Sequence, residues 1–252
     1  MGKLSATVIG ALIGALPVLL TPAMAEAARW YQVEVIIFAQ QDSFGNEGTP
    51  LSIHLRYPER ATYFGDGDVE QLPRDQRQLK GDAAKLERTG VYRVLFHEAW
   101  RQPGQSQGRT PWLIIQAGRR FGDHYELEGS LRLYLSTYLH LDTNLWLSLP
   151  SDTHASAPEP STTTAKGNYT STRDLPPPPG AFKSGAQPGG NGSSGIALKE
   201  IYSLEQSTRL QLGKLHYVDH PKMGILVKVM RTEAPGNPAS AESVASETST
   251  FN

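Results

Sequence analysis

The apolar positions of residues 30–39 (WYQVEVIIFA) alternate at first, with Tyr31, Val33, Val35 and Ile37 on one side, and Ile36 and Phe38 then fill the other. A period of two marks a strand, and the double filling marks one covered on both faces. Residues 42–73 are rich in Gly, Pro and Asp without a sustained period and read as a long loop. Over 75–89 (DQRQLKGDAAKLERT), Leu79, Ala83 and Leu86 recur at helical spacing opposite charged residues, and Gly90 stands where a C-terminal cap belongs. This predicts one helix, with Gly81 inside it.

Residues 92–100 (YRVLFHEAW) alternate again, and 112–116 (WLIIQ) form a second short strand. Residues 126–149 place apolar groups at almost every odd position. A single strand of that length would span about 80 Å at roughly 3.3 Å per residue, so it folds back, with the turn near Ser136 and Thr137. Residues 198–212 predict a strand pair or a strand and turn, and 224–230 (GILVKVM) a strand covered on both faces. The expected fold class is α+β: a mainly antiparallel β-sheet with one principal helix packed on it.

Composition divides the chain. Lys3, an apolar stretch over 4–20 and the Ala23-Met24-Ala25 pattern read as a signal peptide over 1–25, cleaved near Ala25, which implies export to the periplasm. Residues 151–195 are dominated by Pro, Gly, Ser and Thr, with Leu175 the only large aliphatic side chain before the closing Gly195, and predict a disordered insert. The tail over 232–252 has the same character. Residues 26–150 and 196–231 remain as one domain, because a separate unit as short as the second piece would not hold itself together. No stretch of the mature chain is long and apolar enough for a membrane span. The 24 Lys and Arg against 25 Asp and Glu lack the cationic surplus of a nucleic-acid binder. With no cysteine, thiol catalysis, thiolate metal sites and disulfides are excluded.

Candidate chemistry is sparse. His216 and His220 have the spacing of zinc ligands on a helix, but Tyr217, Val218 and Pro221 predict a strand running into a turn, which was expected to set the two rings on different sides. Asp219 and Pro221 suit that turn. No G-x-S-x-G is present, Asp66-Gly67-Asp68 lacks the rest of a calcium loop, and no Gly-rich phosphate loop follows a strand. Glu34, Glu98, Glu126, Glu128 and Asp142 read as solvent-facing strand positions. No enzyme, cofactor or metal is expected. The polar side of the strands is more suggestive. Arg93, His97 and Arg101 share one parity, Arg132, Tyr134, Tyr138, His140 and Asp142 share another, and Trp100 and Trp146 lie close in sequence. Flat rings stack on sugar faces and guanidinium groups pair with carboxylates, which suits an acidic glycopeptide.

Four stretches, RWYQVEVIIFAQ at 29–40, GVYRVLFHEAWRQP at 90–103, LRLYLSTYLHLDTNLWL at 131–147 and STRLQLGKLHYVDHPKMGILVKV at 207–229, resemble the CsiV (cell shape integrity) family of periplasmic proteins. The YLHLD and LHYVDHP pieces are the most specific. The resemblance implies a non-enzymatic protein that binds peptidoglycan and supports cell-wall assembly. It also implies a link to the outer-membrane lipoprotein LpoA and, through it, to a bifunctional penicillin-binding protein. Arg93, His97, Trp100, Arg101, Tyr138, His140, Asp142, Trp146, His216, Asp219 and His220 are the candidate ligand-binding residues.

Overall fold

A computed structural model describes residues 29–41, 53–151, 169–179 and 195–235. The expected signal peptide, much of the expected insert and most of the tail lie outside those residues. Among the described residues ten strands are formed: β1 (Trp30–Gln40), β2 (Ala61–Thr62), β3 (Glu70–Gln71), β4 (Tyr92–Pro103), β5 (Trp112–Phe121), β6 (His124–Leu135), β7 (Leu139–Pro150), β8 (Leu198–Leu210), β9 (Leu215–His220) and β10 (Met223–Thr232). The helix α1 spans Lys80–Arg88, preceded by a 3-10 turn at Arg74–Gln76.

Strands dominate, with mainly antiparallel pairing and one principal helix. A single sheet does not form. The strands make two sheets of five, ordered β3-β4-β1-β10-β9 and β2-β5-β6-β7-β8. The first is antiparallel throughout, whereas β2 joins the second in parallel with β5. The reason for two layers lies in the leucines of β6 and β7. Leu131, Leu133, Leu141, Leu145 and Leu147 form an apolar face that must be buried, and Val33, Val35, Ile37, Ile225 and Val227 of the first sheet meet it in one core.

Both sheets are also covered on their outer faces. On the first, Ile36 and Phe38 take Leu79 and Ala83, as the double filling of β1 predicts. Gly90 closes the helix with φ +70°, in the left-handed region. The start of the helix has no side-chain cap of its own. Glu34 supplies one from β1, accepting hydrogen bonds from the backbone N–H of Gln78 at 2.7 Å and Leu79 at 2.8 Å.

On the second sheet the cover comes from residues 53–57 and from a strap at 169–179. The expected disorder of 151–195 is corrected for that strap. Ser171 bridges to Ala197, and Thr172–Asp174 make a 3-10 turn closed by a Ser171–Asp174 capping box. Leu175 is buried among Ile53, Trp146, Leu198 and Ile201. Composition alone misses this because one leucine suffices when its pocket is already built by other strands. The loop expected over 42–73 likewise contributes β2 and β3 at its described end.

Candidate functional site

The predicted site residues separate into a structural set, mostly buried between strands and sheets, and a set that reaches the outer surface. His97 and Arg101 share a face as expected, but Arg93 does not. Ile37 pairs with Phe96 and Phe38 with Val94, so Leu95 is an extra residue that reverses the alternation. Arg93 pairs with the fully buried Glu126, which Arg119 also approaches at 3.3 Å. His97 Nε2 meets Glu34 Oε1 at 2.8 Å, and Arg101 lies 3.7 Å from Glu70. Trp100 is no platform either. It is 1% exposed in the core, donates its indole N–H to Gln102 Oε1 at 2.8 Å and meets Phe64 edge-on at 5.7 Å. Trp146 is wholly buried beneath Tyr57, with ring centroids 4.9 Å apart.

The reading of the acids as solvent-facing is corrected too: Glu34, Glu126, Glu128 and Asp142 are all buried. Burial pushes the Glu34 carboxyl up, but hydrogen bonds from His97, Gln78 and Leu79 outweigh it and hold the group below its ordinary value. For Glu126 the same opposition is won by Arg93 and the Arg119 backbone. These residues tie strands and sheets together.

His216, Asp219 and His220 belong to β9. The expectation that the two imidazoles lie on different sides is overturned, because residues four apart on a strand return to the same face. They remain separated by about 13 Å along the strand at roughly 3.3 Å per residue, too far to share an ion. His216 Nε2 accepts from Gln211 N at 2.9 Å, His220 Nδ1 accepts from Lys222 N at 3.2 Å, and Asp219 accepts from the Tyr217 hydroxyl at 2.6 Å. Desolvation holds His220 below its ordinary value. Among the described residues no group of three His, Asp or Glu is placed to hold a metal ion.

The second set does assemble, on the outer face of the second sheet near the β6–β7 turn. Register places it in two rows. In the first, Trp112 of β5, Arg132 of β6, Asp142 of β7 and Ser207 of β8 lie side by side. The Arg132 guanidinium sits 4.4 Å above the Trp112 ring and donates to Asp142 Oδ2 at 2.6 Å, and the Ser207 hydroxyl donates to Asp142 Oδ1 at 2.7 Å. In the second row Tyr134 stacks on His140 at 5.1 Å and 11°, and His140 stands beside Arg209. Arg209 in turn covers the half-exposed Tyr138 ring at 3.1 Å.

Tyr138, His140 and Asp142 were legible as sharing a polar side. Trp112 and Arg209 were missed, because nothing in the sequence says that β5 and β8 flank the hairpin. Asp142, held by Arg132 and Ser207, orients the guanidinium and has little capacity left for a ligand. Around it the half-exposed Tyr138, the part-exposed Trp112 and His140 and the exposed Arg209 offer stacking surfaces and an anion-pairing group together.

Two depressions lie elsewhere. One, of about 250 Å³, opens between the sheets and is lined by Trp100, Gln102, Leu113 and Leu133, with Asp66, Asp68 and Arg109 among its other walls. The other, of about 440 Å³, is a wider groove between β4 and β5 beside Phe64, Arg77 and Glu98.

No described helix is long and apolar enough to cross a membrane. Comparison with curated proteins and with solved structures returned no match. The family model described as "Peptidoglycan-binding protein, CsiV" matches residues 4–232. With nearly the whole sequence inside that match, including both sheets and the face built on β5 to β8, the chain belongs to the CsiV family of peptidoglycan-binding proteins.

Proposed function

We propose that the protein binds peptidoglycan in the periplasm through the outer face of the second sheet, without catalysing a reaction. The observation that carries this reading is the pair of rows Trp112–Arg132–Asp142 and Tyr134–His140–Arg209, where a preset guanidinium, the part-exposed rings of Trp112 and His140 and the exposed Arg209 share one surface with the half-exposed Tyr138. Sugar rings stack on such aromatic faces, and the carboxylates of stem peptides pair with Arg132 and Arg209. The core shared by the two sheets supports treating residues 26–150 and 196–231 as one domain. Its role is to support cell-wall assembly and cell shape, acting with the lipoprotein LpoA and so with a bifunctional penicillin-binding protein. Pelleting of the purified protein with insoluble sacculi is the direct test. Tyr138→Ala, His140→Ala and Arg209→Ala together are expected to leave the protein in the supernatant while it remains folded. Undiminished pelleting of that variant moves the site off this face.

A second reading, an envelope adaptor without direct glycan contact, is favoured by one feature. β9 is an edge strand that exposes Leu215 and Tyr217, with Leu212 exposed just before it. Such an edge accepts a strand from a partner. Binding of purified LpoA that is lost on Leu215→Lys, with no pelleting on bare sacculi, selects this reading over the first.

A further inference from the structure

The strap crosses the outer face of the second sheet from one edge to the other. At the β8 edge, Thr172 N donates to Ile196 O at 2.9 Å and Leu198 N donates to Thr170 O at 2.8 Å. Beyond β2, at the opposite edge, the Tyr63 hydroxyl donates to Pro179 O at 2.5 Å. Between these anchors Leu175 is its one large aliphatic peg.

The surface beneath is not built as an ordinary packing face. Ser130, Trp146 and Ser148 are all fully buried, yet the two hydroxyls and the indole N–H find no hydrogen-bond partner among the described residues. Buried polar groups are nearly always paired, so three together on one face call for a reason. Beside them lies the fully buried Glu128, directly across from Trp146, with Oε2 held by His124 Nδ1 at 3.0 Å. Tyr57 covers the indole edge-on, and its segment is tied to the strap, since Leu55 N donates to the Tyr169 hydroxyl at 2.9 Å. A flat indole surrounded by donors and acceptors is the chemistry of a pyranoside site. This patch also continues the exposed face, since His140, Asp142, Asn144, Trp146 and Ser148 follow one another on the same side of β7.

We propose that the strap, together with the segment 53–57 tied to it, is a displaceable cover over a second glycan subsite, centred on Trp146 and Glu128, which takes an N-acetylated, hydroxyl-bearing sugar when that cover lifts. The proposal rests on the reading that the ligand is peptidoglycan and adds how much of the glycan is held and when. Closed, the strap buries the apolar part of the surface through Leu175 and leaves its polar groups unanswered. A sugar answers them, so it binds the lifted state selectively and shifts the population toward it.

The natural chain has no cysteine, so Ser171→Cys with Ala197→Cys installs a single reversible lock. The two positions face each other across an antiparallel bridge flanked by hydrogen bonds, the spacing a disulfide accepts. The probe is an N-acetylglucosamine tetramer, titrated against the purified protein. The oxidised, locked form is expected to bind about tenfold more weakly than the reduced form, because the competent population is removed. Leu175→Ser is expected to bind more tightly, and adding Glu128→Gln to cancel that gain. Equal affinity of the locked, reduced and Leu175→Ser proteins overturns the proposal, as does failure of the tetramer to bind any of them. Sacculus pelleting of Arg209→Ala reports on the exposed face separately, so failure of the subsite and failure of the main reading are told apart.

Discussion

Glu34→Ala removes one carboxylate that serves three donors at once. The group is 3% exposed and accepts from Gln78 N at 2.7 Å, Leu79 N at 2.8 Å and His97 Nε2 at 2.8 Å. Each donor left without an acceptor costs about 1 kcal/mol or somewhat more, so the loss is about 3 kcal/mol. For a domain of this size that lowers Tm by roughly 6–12 °C. Glu34→Gln keeps one acceptor oxygen but turns an amide N–H toward another donor, and is expected to lose about half as much. Urea unfolding at pH 7 measures both, and amide exchange in α1 should rise before that of β1, because the carboxylate pins the start of the helix. Glu34 and Glu126 both titrate below the ordinary 4.5, so the stability they contribute is complete above that pH and declines as pH falls through their folded-state values. Glu34→Ala should therefore show a shallower acid loss than the parent. A Glu34→Ala protein within about 0.5 kcal/mol of the parent at pH 7, the range of an ordinary surface change, refutes the assignment.

Other outcomes follow from particular side chains. Gly129 has φ +124°, and an added Cβ would stand 2.1 Å from the Asn144 carbonyl oxygen, so Gly129→Ala is expected to lose more than about 3 kcal/mol or fail to accumulate as folded protein in a thermal melt. Trp100→Ala should lose about 3–5 kcal/mol in urea unfolding, yet the fraction that stays folded should pellet with sacculi normally, because the indole lies in the core. Arg209→Ala should change stability by less than about 0.5 kcal/mol while reducing sacculus binding several-fold, the reverse pattern. Each compares unfolding with pelleting in the same preparation.

The strands, the helix and the hairpin turn were legible because period two, period 3.6 and a capping glycine are local signals. β1 shows this best: its doubled apolar pattern anticipated cover on both faces, and Ile36 and Phe38 do lie under the helix. What escaped depends on contacts between distant segments. The extra residue at Leu95 divides Arg93 from His97 and leaves no mark in composition. The burial of Glu126 and Glu128 follows from arginine and histidine partners that no alternation rule can supply. Trp100 and Trp146, read as surface platforms from their nearness to polar positions, are buried because each sits where a second layer closes. In the exposed face, the polar side of the hairpin was readable from β6 and β7, whereas Trp112 and Arg209 needed the strand order.

The pairing of Trp30 with Thr232 puts the first and last described strands side by side at the centre of one sheet. A chain that emerges from its N-terminus, whether from a ribosome or through a membrane, delivers β1 long before its partner β10. Until then Val33, Val35, Ile36 and Ile37 are an apolar segment with an open hydrogen-bonding edge, the kind of stretch that recruits stray strands. The second sheet has no such delay, since β5 to β7 pair with their neighbours in sequence and only β8 waits for the insert to pass. Order of arrival thus leaves the first sheet the last to have all its strands, and makes residues 30–40 the stretch for which a chaperone's protection would matter most.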